Sequence, residues 1–421
     1  MQPDVSPDVD ADAVAPPRVV LGVSGGIAAY KACELLRRFS ETGHDVTVVP
    51  TAAALEFVGE ATWAALSGKP VSFQVWDRVH AVPHVQIGQQ ADLVVVAPAT
   101  ADVLAKAAHG LADDLLSNTL LTARCPVVMA PAMHTEMWEH PATQANVATL
   151  RSRGVLVIEP AVGRLTGVDT GKGRLPDPAE IYEVAAGVLA RAAGGDPLDL
   201  SGRRVVVSAG GTREYLDPVR FVGNRSSGRQ GVALARAAVS RGAKVTLVAA
   251  NLSVPDPAGV DVVHVESTAQ MREAVLGAAA DADAVVMAAA PADFRPADVS
   301  ESKIKKEGDE GSTVRFVQNP DILAELSRDR SRPGQVVVGF AAETGDETGS
   351  VLEHAQAKLA RKGCDLLVLN DVSGGKVFGE DHNEAVVLDA EGGARPVPRA
   401  TKVALAHVIW DAVTSRWGNL P

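Results

Sequence analysis

Short aliphatic runs recur along the chain, separated by stretches with helical spacing. Residues 18–23 (RVVLGV), 44–49 (HDVTVV), 93–97 (LVVVA), 127–130 (VVMA) and 155–158 (VLVI) form one series. Residues 203–208 (RRVVVS), 243–248 (AKVTLV), 260–265 (VDVVHV), 284–288 (AVVMA), 336–339 (VVVG) and 366–369 (LLVL) form a second. Near-continuous apolar runs suit strands buried on both faces, as parallel sheets require. Alternation of strand and helix predicts an α/β fold, two Rossmann-like domains with mainly parallel sheets. The runs at 93–97 and 127–130 meet Pro98 and Pro131. Proline there is expected to stop the strand and start a loop at its carboxyl end, the edge where open α/β sheets bind ligands.

The two series open alike. Val23 runs into Ser24-Gly25-Gly26 and a helical stretch, and Ser208 runs into Gly210-Gly211-Thr212. A strand entering a Gly-rich turn can hold phosphate on backbone amides and a helix start. Neither turn spells G-x-G-x-x-G, and the second strands end in Pro50-Thr51 and Ala249-Ala250-Asn251. A dinucleotide fold would place a ribose-binding acid there, so a nicotinamide-dependent reductase is disfavoured. The expected organisation is a disordered tail at 1–17, a first domain at 18–193, a linker at 194–202 and a second domain at 203–417. Residues 296–313 are polar and charged without an apolar period, which predicts a long mobile loop of the kind that often serves as a lid.

Composition narrows the function class. Hydrophobic residues make up 46% of 421, ample for large cores, and the net charge of −12 argues against nucleic-acid binding. Cys33, Cys125 and Cys364 form no C-x-x-C pair, so neither a zinc cage nor a disulfide framework is expected. No run approaches a membrane span and no signal peptide is read at the N-terminus. The expected compartment is the cytoplasm.

Candidate chemistry in the first half lies in four segments: S-G-G-I-A-A-Y-K at 24–31, P-H-V at 83–85, A-P-A-T-A at 97–101 and P-A-M-H-T-E-M-W at 131–138. Singly each has an ordinary explanation. A tight turn explains the first, a solvated loop histidine the second, and core packing the Met and Trp of the fourth, though not His134. Together, in this order, they resemble the homo-oligomeric flavin-containing cysteine decarboxylases. The resemblance implies that fold, non-covalent FMN, and decarboxylation of 4'-phosphopantothenoylcysteine. It implies Ser24, Gly25, Gly26 and Thr51 near the FMN phosphate and Ala97, Pro98, Ala99 and Thr100 near the flavin. His84 matches the catalytic histidine, and His134 and Met137 fall at the substrate. A cysteine carboxylate has no electron sink; oxidation of the thiol to a thioaldehyde creates one, and the cofactor carries that chemistry. His134 stands where the family usually has Asn. The flap at 163–174 lacks the family's proton-donating Cys, with Gly167 at its position. Asp169 or water are the alternative donors.

In the second half, Ser226 and Ser227 at a helix start suit phosphate. Simple capping would explain one Ser, but not Arg220, Asn224 and Arg225 beside it. The segments G-G-T-R-E at 210–214, D-P-V-R at 217–220, N-R-S-S-G at 224–228, A-A-P-A-D-F at 289–294, K-I-K-K at 303–306, N-P-D-I at 319–322, F-A-A-E-T at 340–344 and N-D-V at 370–372 resemble phosphopantothenate–cysteine ligases. The resemblance implies activation of 4'-phosphopantothenate by CTP as an acyl-cytidylate, then displacement of CMP by L-cysteine, with Mg²⁺ on the nucleotide. It assigns Ala289, Asp293, Lys303, Asn319, Pro320, Asp321, Ile322, Phe340, Lys358 and Lys362 to CTP, Asn224 and Lys303 to catalysis, and Arg220 to substrate; metal ligands are unassigned. Decarboxylase then ligase is the usual bacterial order for such a bifunctional enzyme. The resemblance further implies a homo-oligomer, with trimeric decarboxylase units carrying FMN between subunits, dimeric ligase units and dodecamers. An active ligase fused to a non-catalytic regulatory flavoprotein domain is the alternative.

Overall fold

The computed structural model describes residues 15–71, 83–165, 169–192, 194–305, 313–343, 351–371 and 382–418. The chain divides into two compact units, Met1–Ala185 and Ala186–Pro421, with the division inside the helix Pro178–Ala192.

The first unit holds strands β1 (Arg18–Val23), β2 (Asp45–Pro50), β3 (Leu93–Ala99), β4 (Val127–Pro131) and β5 (Leu156–Val157), joined in the order β2-β1-β3-β4-β5. All four pairings are parallel. The apolar runs do what their continuity predicts: every residue of β3 is buried. Val20, Val94 and Val96 pack with Leu104, Leu116, Val147 and Trp138 from the surrounding helices. A small antiparallel hairpin follows, β6 (Ala161–Arg164) and β7 (Thr170–Arg174). Pro131 ends β4 as expected, but Pro98 does not stop β3: it lies one residue before that strand's end, and the Ala97–Pro98 peptide is cis. The pairing between β3 and β4 shifts register between Val96 and Ala99, so the lost ladder donor falls where pairing is already irregular. Pro83 and His84 open a helix, Pro83–Gln90, rather than lying in a loop, because proline's fixed φ suits a first helical position.

The second unit is built on an eight-stranded sheet. Its strands are β8 (Arg204–Gly210), β11 (Lys244–Ala250), β12 (Val260–Val265), β13 (Ala284–Met287), β16 (Val336–Glu343), β17 (Leu366–Asp371), β18 (His382–Asp389) and β19 (Ala394–Thr401). Two hairpins stand apart, β9 (Arg213–Tyr215) with β10 (Phe221–Gly223), and β14 (Phe294–Pro296) with β15 (Phe316–Gln318). The sheet order is β12-β11-β8-β13-β16-β17-β18-β19. Pairing is parallel as far as β17 and antiparallel from there. Helices Arg229–Ser240 and Lys402–Gly418 pack together, and the buried Trp410 indole donates to Leu234 O at 2.9 Å. Residues 194–202 are anchored within this unit. Leu200 is buried and Asp199 pairs with the fully buried Arg241.

Candidate active sites

In each sheet one strand pair marks a topological switch point, where crossovers leave in opposite directions and a crevice opens outside the carboxyl ends. The orders place it between β1 and β3 in the first unit and between β8 and β13 in the second.

Ser24 crosses the first switch point. Its buried hydroxyl donates to Pro98 O at 2.7 Å and accepts from Thr100 N at 2.9 Å, while its amide donates to Pro98 O at 3.2 Å. Ser24, Pro98 and Thr100 are thereby brought together, and the Ser24 hydroxyl is engaged in shaping two loops. Gly25 packs so closely on the short helix after β2, Ala52–Leu55, that a Cβ would lie 2.4 Å from Ala53 Cβ. Beside it, Thr51 N donates to Val23 O and Thr51 Oγ1 accepts from Ala54 N at 3.2 Å. Gly26 precedes the 3₁₀ turn Ile27–Lys31 and Thr100 the helix Ala101–His109, both without a side-chain cap. Uncapped helix starts at a crevice present free amides to a phosphate.

His134 follows β4 at the same edge and precedes the helix Thr135–Glu139, whose Met137 is exposed. The β6–β7 hairpin lies against this loop: Met133 N donates to Gly173 O at 2.9 Å, and a Cβ on Gly173 would lie 2.2 Å from Met133 O. Lys172 and Arg151 both pair with Glu159 at the hairpin's foot, at 2.9 and 2.7 Å. Burial opposes charge on Glu159, but these two cations hold its carboxyl below the usual range. Asp169 is exposed, while Gly167 (166–168) and the side chain of His84 lie outside the described residues. None of the three cysteines is on the hairpin. Burial raises the Cys33 thiol and pushes Cys125 and Cys364 up to about 11, so all three are poor thiolate sources.

The second switch point opens on a cleft of about 1090 Å³. Gly210, at φ +84, passes so near β11 that a Cβ would lie 1.8 Å from Ala250 O. Asn251, where a dinucleotide fold keeps a ribose-binding acid, donates to Gly211 O and Glu266 O at 2.9 and 3.2 Å. Its amide serves the loops. Asn224 donates to Pro291 O at 2.9 Å, and buried Thr212 accepts from Ala292 N at 2.8 Å. Asn319 N donates to Asp293 O and Asn319 Nδ2 to Ala292 O, at 2.8 and 2.9 Å. Asp321 caps the helix Ile322–Arg328 and pairs with Lys362. Burial opposes its charge, but Lys362 and the Ala324 amide keep the Asp321 carboxyl low.

The cleft brings together Asn224, Ala289, Asp293, Asn319, Pro320, Asp321, Ile322, Phe340, Lys358 and Lys362. Arg220 and Lys303 are not in its wall; the guanidinium of Arg220 reaches Ile304 O, next to Lys303, at 2.5 Å. The wall also includes Arg229, Gln230, Arg361, Asn370, Asn383 and Lys402. Asn370 begins the N-D-V motif, a usable signal. Asn383 and Lys402 carry none, since pairing of β18 on β17 is what delivers Asn383 to Asn370 Oδ1 at 3.1 Å. Among the described residues, no group of three or more His, Cys, Asp or Glu stands together as a metal site, and no helix is long and apolar enough to cross a membrane.

Two family models match the chain: Flavoprotein over residues 11–190 and DNA/pantothenate metabolism flavoprotein C-terminal domain over 200–416. The Coenzyme A biosynthesis bifunctional protein CoaBC of Mycolicibacterium smegmatis is 57% identical over 94% of this chain and 97% of its own length. That of Bacillus subtilis is 41% identical over 94% of this chain and 97% of its own. A crystal structure of the C-terminal domain of a CoaBC protein is 33% identical, covers 53% of this chain and all of that one, and has a TM-score of 0.45. On this relationship, spanning both units, the chain belongs to the CoaBC family of bifunctional coenzyme A biosynthesis proteins.

Proposed function

We propose that the chain converts 4'-phosphopantothenate, L-cysteine and CTP to 4'-phosphopantetheine, with ligation in the second unit and decarboxylation in the first. Its strongest support is the cleft at the β8/β13 switch point, which gathers ten residues with the chemistry of a nucleotide site from five separate segments. Lys358 and Lys362, one turn apart on the helix Val351–Lys362, supply charge for the triphosphate, and Phe340 and Asp293 line the wall for base and ribose. Entry of the nucleotide displaces Lys362 from Asp321. The substrate carboxylate then attacks the α-phosphate and pyrophosphate leaves; the amine of cysteine attacks the acyl carbon and CMP leaves. Asn224 steadies the charge developing in the first step, Arg220 acts from the same loop, and Lys303 acts from the adjoining one. Mg²⁺ would be held mainly by the nucleotide phosphates and would neutralise their charge, as suits an ion that usually takes few protein ligands.

In the first unit the edge at Ser24–Gly26, Thr51 and Ala97–Thr100 fits a flavin mononucleotide. Uncapped helix starts face the phosphate, and small residues let the ring approach. Bound there, FMN supplies the two-electron chemistry that makes the cysteine carboxylate a leaving group. His84 takes the proton during thiol oxidation. His134 donates to the substrate carboxylate, while Met137 and the β6–β7 hairpin cover it. Ile27 and Tyr30, 67% and 60% exposed beside the phosphate turn, support closure of this site by another copy, as in trimeric units assembled further with paired ligase units.

Mass spectrometry of a reaction with 4'-phosphopantothenate, L-cysteine, CTP and Mg²⁺ tests the reading. 4'-Phosphopantetheine is the expected product. Arrest at phosphopantothenoylcysteine would leave the ligase and reduce the first unit to a non-catalytic flavoprotein; absence of both products would refute the whole.

A further inference from the structure

Arg220 and Lys303, the groups of the proposed ligase mechanism that lie outside the cleft wall, are joined by one carboxylate. Asp217 is fully buried. Its Oδ1 accepts from the amides of Val219 and Arg220, both at 2.8 Å. Its Oδ2 accepts from Arg220 Nε at 2.9 Å, Arg220 Nη2 at 2.7 Å and Ile304 N at 3.2 Å. The same guanidinium donates to Ile304 O at 2.5 Å, and Ser300 N donates to Leu216 O at 3.0 Å.

An aspartate that only closed a turn would need the first two amides and nothing more. Here the carboxylate and its arginine also grip both the N–H and the C=O of Ile304, more than eighty residues away. That residue adjoins Lys303. Burial would raise the Asp217 pKa, but the bonds from Val219, Arg220 and Ile304 hold it at about 2, so the grip is charged throughout the neutral range.

We infer that Asp217 is a positioning residue of the ligase reaction, setting the Lys303 loop in register with the loop that carries Arg220 and Asn224. This rests on the roles proposed above for Lys303 and Asn224. The physical reason is pre-organisation: two loops ordered before substrate arrives need not be ordered in the transition state.

The test is a double-mutant cycle in the full-length chain, with pyrophosphate release from CTP and 4'-phosphopantothenate as readout. Asp217→Asn should lower kcat about 100-fold, the scale of a small misplacement of a reacting group, with little change in KM for CTP. In a Lys303→Gln background the same change should cost less than about threefold, because coupled sites are not additive. Loss in Lys303→Gln with an equal cost of Asp217→Asn in both backgrounds overturns the positioning role alone. Full rate in Lys303→Gln overturns the catalytic reading of Lys303 and this inference with it. Should Asp217→Asn fail to fold, Ile304→Pro removes the loop's donor to the carboxylate and also fixes the backbone there, so it is read against Lys303→Gln/Ile304→Pro, in which its cost should fall below about threefold. Lowered kcat at an unchanged unfolding midpoint, with Ile304→Ala unaffected, supports the inference; an unchanged kcat in Ile304→Pro overturns it.

Discussion

The two units carry a switch point in the same place, beside the first strand of each sheet, and furnish it differently. After β1 the chain turns within Ser24–Gly26 into the 3₁₀ turn. After β8 it wanders through 211–228, with a hairpin of its own, before the helix Arg229–Ser240 begins. The short turn leaves room for little except backbone amides, and the other strand ends must supply the rest of the first site. The long loop brings its own carboxamide, guanidinium and buried carboxylate. A sheet topology thus chooses where a ligand binds, and the length of one loop decides whether backbone or side chains receive it.

The comparison breaks most sharply if the units cannot be disabled separately. His84→Asn should slow decarboxylation by about 10²–10⁴, the usual contribution of a general base, while flavin absorbance and pyrophosphate release stay unchanged. Phosphopantothenoylcysteine should accumulate, as followed by chromatography; full flux would remove His84 from the mechanism. Asn224→Asp is the mirror experiment. It sets a carboxylate against Pro291 O, which Asn224 now meets as a donor, and into the path of a developing negative charge. Pyrophosphate release should fall by about 10²–10³, with decarboxylation of supplied phosphopantothenoylcysteine intact.

Smaller effects sharpen the contrast. Lys362→Met removes a cation that Asp321 now holds and the nucleotide would take. The KM for CTP should rise about tenfold, the worth of one charge-assisted bond, with FMN retention unmoved; an unchanged KM would take Lys362 out of the nucleotide site. The smallest effect is on stability. His407 is pushed down to about 4 by burial and by Arg241 and Arg191, and its Nδ1 has no hydrogen-bond partner among the described residues. Its imidazole is neutral in the fold, so below pH 6.5 the unfolded chain takes the proton first. Stability should fall as pH drops from 6.5 to 4 and level off below that. His407→Leu should flatten this slope by about 2–3 kcal/mol at pH 4, measured as urea midpoints of the second unit against pH.

Strands were the most legible part. β1 spans the predicted 18–23, and most others lie within a residue or two of the apolar runs, because burial on both faces leaves no polar alternation to misread. The run at 155–158 shrinks to Leu156–Val157 as an edge strand, where fewer neighbours hold it. The antiparallel strands β18 and β19 escaped notice, since His382–Asp389 and Ala394–Thr401 mix polar and apolar positions. Most of the candidate ligase residues stood in recognisable motifs and meet in one cleft. Asp217 was visible in D-P-V-R, yet its bond to Ile304 closes over a separation that no local pattern encodes.

By itself the sequence determined the α/β architecture with its doubled strand-and-glycine opening, and its motifs resemble a decarboxylase followed by a ligase. These follow from local chemistry: continuous apolar runs must be buried on both faces, and Gly25 and Gly210 stand where a Cβ would collide with the neighbouring chain. Only the tertiary structure decided that Ser24 bridges β1 to the loop after β3, that Asn251 holds main chain, and that Asp217 fastens the Lys303 loop. Each of these polar groups has an ordinary identity in sequence. Burial away from water makes a partner obligatory, and which partner is available depends on how distant strands are ordered in the sheet.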